Sequence, residues 1–169
     1  MSRVLSRLIL KPEQLAALGS VVAESTYVEM LVDGMICRLA KLKPQQFSAF
    51  LGGAMLQRKL EVLEQLGEPH IKSARRKAAF KKLMLELRDG NTERTKAVHG
   101  VWLFAIEGNT LKLDKAEATH TRRGKIAARD LEQLANRISN GFWALSDFDA
   151  KVWQRPAARR RVLRSKSRG

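Results

Sequence analysis

The chain has 169 residues, 44% hydrophobic and 6% aromatic, with 32 Lys and Arg against 17 Asp and Glu and a formal net charge of +15. That length holds one domain with a real core, and the apolar share excludes a compositionally disordered chain. The scarcity of aromatic residues favours aliphatic helix packing over a β-sandwich.

The first ten residues are basic in part, but Arg7 interrupts their apolar run, and the longest continuous apolar run is Val101–Ile106. Neither export nor a membrane span is therefore expected. Pro12 suits a first helical position. From there Leu15, Leu18, Val22, Val28, Leu31, Met35, Leu39 and Leu42 recur at helical spacing, which predicts one helix of about eight turns stopped before Pro44. The single cysteine, Cys37, cannot form an intrachain disulfide and has no Cys or His at metal-ligand spacing, so it is expected to be a small buried hydrophobe in a reducing, cytoplasmic setting.

Pro44 opens a short helix, Gln45–Leu51, ended by Gly52 and Gly53. Leu56, Leu60, Leu63 and Leu66 mark another, closed by Gly67 and Pro69. The next helix is predicted from Pro69 to Arg88, with Ile71, Ala74, Phe80, Leu83, Met84 and Leu87 inward. Its outward face carries Lys72, Arg75, Arg76, Lys77, Lys81 and Lys82, a candidate phosphate-binding surface. Gly90 is expected to end that helix, and Asn91 to cap a short one bearing Arg94 and His99.

The period then changes. Val101–Ile106, the turn Glu107-Gly108-Asn109, and Leu111 and Leu113 alternating with polar residues predict a β-hairpin over about 101–114, followed by a polar loop holding Arg122 and Arg123. Leu131, Leu134, Ala135, Ile138, Phe142, Leu145 and Phe148 define the last helix. Phe142, Trp143 and Trp153 are candidates for a dimer interface, since aromatic residues are enriched there. Seven positive charges and no acid lie within residues 155–169, and Arg159, Arg160 and Arg161 are candidate nucleic-acid contacts. The expected architecture is all-α: a four-helix-bundle-like domain over residues 1–153 with the small hairpin inserted, and a disordered basic tail over 154–169.

The segment Glu93-Arg94-Thr95-Lys96-Ala97-Val98-His99-Gly100 holds the residue types that metal-free chemistry on a phosphodiester needs. A guanidinium is always charged, and histidine as a residue type exchanges protons near neutrality. In one continuous helix the two side chains would diverge by roughly 140°, so a shared site requires either a helix end before His99 or two subunits side by side. Glu29 falls beside the apolar stripe of the first helix and needs a cation; Arg94 is the expected partner. There is no Walker loop, Gly-x-Gly-x-x-Gly, Gly-x-Ser-x-Gly or zinc spacing, so no metal or cofactor is expected. His70 and His120 have no chemical neighbours in sequence and are read as incidental.

Arg94 through His99, following helical segments, resembles the R-x4-6-H motif of HEPN-domain proteins. The resemblance implies a mostly four-helix bundle, a homodimer, and metal-independent endoribonuclease activity on RNA with Arg94 and His99 as the catalytic pair. Active members commonly have Asn, Asp or His after the arginine, where this chain has Thr95. Other members are inactive binding modules, so the alternative is a non-catalytic helical module that binds nucleic acid or a protein partner through its basic surfaces.

Overall fold

The structure is a computed structural model. It describes residues 11–99, 101–107, 110–117, 120–125 and 128–153, with side chains described for 11–99 and 128–153.

The chain is mostly helical, with five α-helices among the described residues: α1 (Pro12–Ala40), α2 (Pro44–Leu51), α3 (Leu56–Gly67), α4 (Ala74–His99) and α5 (Ala128–Val152). A single 3-10 turn, Glu68–His70, links α3 towards α4. Both α1 and α2 start in the same way. Proline takes the first turn, where its missing N–H costs nothing, and a glutamine side chain three residues beyond the cap accepts the cap N–H: Lys11 to Gln14 at 3.0 Å and Lys43 to Gln46 at 2.9 Å. At the far end of α1, Lys41 adopts φ 55°, and the N–H groups of Lys41 and Leu42 donate to the carbonyls of Arg38 and Cys37. That left-handed cap usually belongs to glycine.

Helix α1 is central, packing on α5, α3 and α4. Its buried stripe is Ala17, Val21, Ser25, Val28, Val32, Met35 and Ile36, and the Ser25 hydroxyl donates to the Val21 carbonyl at 2.6 Å. Of the expected stripe Val28 and Met35 are buried, but Leu15 and Val22 are exposed and Leu18, Leu31 and Leu39 half-buried, so the inner face is rotated from it; Cys37, expected to be buried, is half-buried. The cause is that α1 is apolar nearly all round, so spacing alone does not select its inner face. For the same reason an 18-residue window of α1, itself 29 residues long, has a mean hydropathy of 1.4, so by length and composition this one helix among the described residues could cross a membrane, a property that the apolar core helix of a bundle shares.

Two other boundaries differ. Helix α4 begins at Ala74, not Pro69, and Ile71 is buried from the connection before it. More consequentially, α4 runs unbroken through Gly90 to His99. Gly90 is buried against α5, where an added Cβ would stand 3.7 Å from Ile138, and the inward face continues past it to Ala97. Burial on both sides of the glycine outweighs its helix-ending tendency, worth only about 1 kcal/mol.

Between α4 and α5 the backbone pairs as three antiparallel strands, β1 (Val101–Glu107), β2 (Thr110–Glu117) and β3 (His120–Lys125), in that order. The small hairpin expected over 101–114, with a polar loop after it, is not supported as such: β1 and β2 pair antiparallel as far as Ala116, and β3 adds a third strand where the loop was expected. The tail expected over 154–169 lies outside the described residues.

One end of the core is aromatic. Phe80 of α4, Phe148 of α5 and Trp153 interlock with ring centroids 5.2–5.4 Å apart. The Trp153 ring lies on Gly67, where a Cβ would come within 2.6 Å of it. Trp153 is thus an internal packing residue rather than an interface candidate.

Candidate functional site

Because α4 is continuous, Arg94 and His99 leave it about 140° apart and about 7.5 Å apart along its axis. Both nevertheless line one groove of about 590 Å³, walled by the last turns of α4, by Ser25, Thr26 and Glu29 of α1, and by Met55 and Leu56 at the start of α3. Arg94 is half-buried, with its Nε enclosed and without a hydrogen-bond partner. His99 is exposed at the groove mouth. Thr95 turns its hydroxyl to the Asn91 carbonyl at 2.9 Å, a bond within the helix that leaves the groove chemistry to its neighbours.

The expected Glu29–Arg94 pair is not formed. Glu29 Oε1 instead accepts from Lys59 Nζ at 2.7 Å, and Lys59 also donates to Asp33 Oδ2 at 2.9 Å. Lys59 belongs to the inward face of α3, with Leu60 and Leu63, and lies 5.7 Å from the centre of the Phe47 ring. Burial disfavours its charge, yet the hydrogen bonds it donates to the two carboxylates, and their negative charge, outweigh that and hold the ammonium pKa above its usual value. Burial also raises the Asp33 carboxyl above the usual carboxylate value, with Lys59 pulling the other way. One Asp33 oxygen, Oδ1, is enclosed and unpaired. Sequence contained a signal for this cluster: Lys59 interrupts the Leu56, Leu60, Leu63 stripe, and Glu29 and Asp33 are one turn apart on α1. A second such pair joins Arg38 of α1 to the buried Asp149 of α5.

The basic face is exposed as expected at Lys72, Arg75, Arg76, Lys81 and Lys82. Lys81 and Lys82 reach Glu68 at 3.1 Å and Glu86 at 3.7 Å, whereas Lys72, Arg75 and Arg76 have no ion-pair partner among the described residues. The first turn of α4 contains no acid, so two arginines face the positive end of the helix dipole, an arrangement that a bound anion relieves. Arg76 stands about 27 Å along α4 from Arg94. The backbones of Arg122 and Arg123 are in β3, but their side chains lie outside the described residues, as do Arg159, Arg160 and Arg161 in full. His70 is exposed in the 3-10 turn, and the His120 side chain is not described. Among the described residues no three His, Cys, Asp or Glu side chains gather as a metal site.

On another side of α1, Tyr27, Met30 and Trp143 are 55%, 65% and 66% exposed, and Phe142 links the rings of Tyr27 and Trp143 at 6.4 and 5.1 Å. Comparison of the chain with protein-family models, curated proteins and solved structures returns no match.

Proposed function

We propose that this chain is an HEPN-like four-helix-bundle protein acting on RNA, with the Arg94/His99 groove as a metal-independent ribonuclease site. The observation that carries the reading is the Arg94 guanidinium: partly desolvated, with one nitrogen enclosed and unpaired, in a groove that His99 also lines. An enclosed guanidinium nitrogen without an acceptor is costly, and an anionic ligand that accepts from it removes that cost. Arg75 and Arg76 in the first turn of the same helix, and Lys72 just before it, have no ion-pair partner among the described residues and offer further phosphate contacts, at a separation that a single strand of several nucleotides bridges.

In the proposed reaction Arg94 holds the scissile phosphate and steadies the charge that develops on it. His99 accepts the proton of the neighbouring ribose 2′-hydroxyl, the 2′-oxygen forms a bond to phosphorus, and the bond to the 5′-oxygen breaks. The leaving oxygen takes a proton from solvent, and a 2′,3′-cyclic phosphate remains. The reading includes a homodimer, which the exposed Tyr27, Met30 and Trp143 surface supports, and a cytoplasmic setting, which suits both an RNA substrate and the free thiol of Cys37.

The test is incubation of the purified protein with mixed RNA in excess chelator, beside Arg94→Ala and His99→Ala variants shown to be folded. Cleavage by the parent and its loss in both variants is the expected result. Cleavage that survives both substitutions overturns the assignment. RNA binding without cleavage in the parent establishes the non-catalytic module instead.

A further inference from the structure

Beside the Arg94 groove lies a second cavity of about 500 Å³, between α1, α4 and α5. Ser25, Leu56 and Asn91 line both, so the two adjoin. The second part is walled by Val28, Leu87 and Ile138, with Gly90 and Gly141 between them. The missing side chain at Gly90 keeps the cleft open, while at Gly141 the helices are so close that a Cβ would meet Leu87 at 2.8 Å. This volume falls within the roughly 300–1,000 Å³ of small-ligand sites.

The two parts differ in charge. Arg94 and His99 stand in the first, whereas the rim of the second carries Glu86 and Asp89 together with the amides of Asn91 and Asn140. Among the described residues that line it the one cation, Arg137, is tied to Glu93. Carboxylates at the rim repel a phosphate and accept hydrogen bonds from an amino group. Aliphatic walls suit the faces of a flat, neutral ring whose polar groups lie at its edge. A nucleobase has these properties, and its phosphate is of the sign the neighbouring groove attracts.

We infer that the second cavity is a nucleobase subsite for the ribonucleotide that carries the attacking 2′-hydroxyl, an inference that rests on the RNA reading of the Arg94 groove. The faces of the base lie against Val28, Leu87 and Ile138, and its exocyclic amino group is read by Asp89 and the Asn140 amide. The subsite therefore prefers cytosine to uracil, which presents a carbonyl oxygen where cytosine has its amino group.

Calorimetric titration of the full-length protein with cytidine, uridine and 3′-CMP tests this independently of catalysis. Cytidine is expected to bind with a Kd on the order of 1 mM. Uridine is expected to bind about tenfold more weakly, the effect of forgoing one hydrogen bond. Ala144 lines the cavity and is exposed, so Ala144→Trp fills the space from its mouth without entering the core and is expected to abolish cytidine binding. Asn140→Ala, a second exposed position, is expected to reduce the preference for cytidine. Arg94→Ala should leave cytidine unaffected and remove the advantage of 3′-CMP over it. Equal binding of cytidine and uridine, cytidine binding undiminished in both Ala144→Trp and Asn140→Ala, or no cytidine binding by the parent overturns the subsite. If the cytidine results hold but RNA is not cut, the cleavage reading falls and the subsite stands. If RNA is cut and cytidine does not bind, the reverse applies.

Discussion

Replacing Lys59 with methionine tests the polar centre of the fold. The Lys59 side chain is 3% exposed, and its ammonium holds Glu29 and Asp33 at 2.7 and 2.9 Å. Methionine keeps much of the buried stem but leaves two carboxylates facing each other without a cation. Breaking a buried pair costs about 3–5 kcal/mol, and partial hydration of the carboxylates, 39% and 29% exposed, places the expected loss near the lower end, about 3 kcal/mol. For a chain of this size that lowers Tm by about 6–12 °C. Urea unfolding followed by circular dichroism measures it, and the triple variant Lys59→Met, Glu29→Gln, Asp33→Asn should recover most of the loss, since the unpaired charges are then gone. The pH dependence gives a second readout. The folded pKa of Lys59 lies above its unfolded value, so its contribution is complete below about 10.5 and is lost as pH rises through the folded pKa. Lys59→Met should lack that alkaline loss. A single variant within about 1 kcal/mol of the parent, or a triple variant no better than the single, refutes the reasoning.

Three further outcomes are expected. Lys41→Gly should stabilise by about 1 kcal/mol in the same unfolding experiment, because residue 41 caps α1 at φ 55°. Gly67→Ala should destabilise by about 1–3 kcal/mol, because its methyl group would overlap the Trp153 ring held between Phe80 and Phe148; a shift in near-ultraviolet circular dichroism should accompany the loss. Changing Lys72, Arg75 and Arg76 to glutamine should flatten the logarithmic salt dependence of RNA binding by about 0.7 for each phosphate no longer neutralised, measured by fluorescence anisotropy at several salt concentrations.

Most helices were legible because their boundaries use local chemistry: Pro12 and Pro44 at helix starts and leucines at three- and four-residue spacing over α3. The inner face of α1 was not, since a helix apolar on nearly every side is oriented only by what packs on it. Gly90 was misread as an end because its role depends on Ile138 of α5, 48 positions away in sequence, which a local pattern does not contain. The same applies to the site. Arg94 and His99 stood out by residue type, and the groove they share is built by α1 and α3 as well as α4. That Glu29 needed a cation was legible from its place beside the stripe, but the choice of Lys59 over Arg94 follows from how α3 lies on α1.

The central claim is that RNA chemistry takes place where Arg94 and His99 share a groove, and a single-atom change in the substrate tests it most directly. An RNA cut at one mapped bond is compared with the same RNA carrying one 2′-deoxy nucleotide immediately before that bond, in chelator, with binding measured in parallel. Unchanged binding, no cutting at the altered bond, and a cyclic phosphate at the normal one are the expected results. Cutting of the deoxy-substituted bond at the normal rate contradicts the claim.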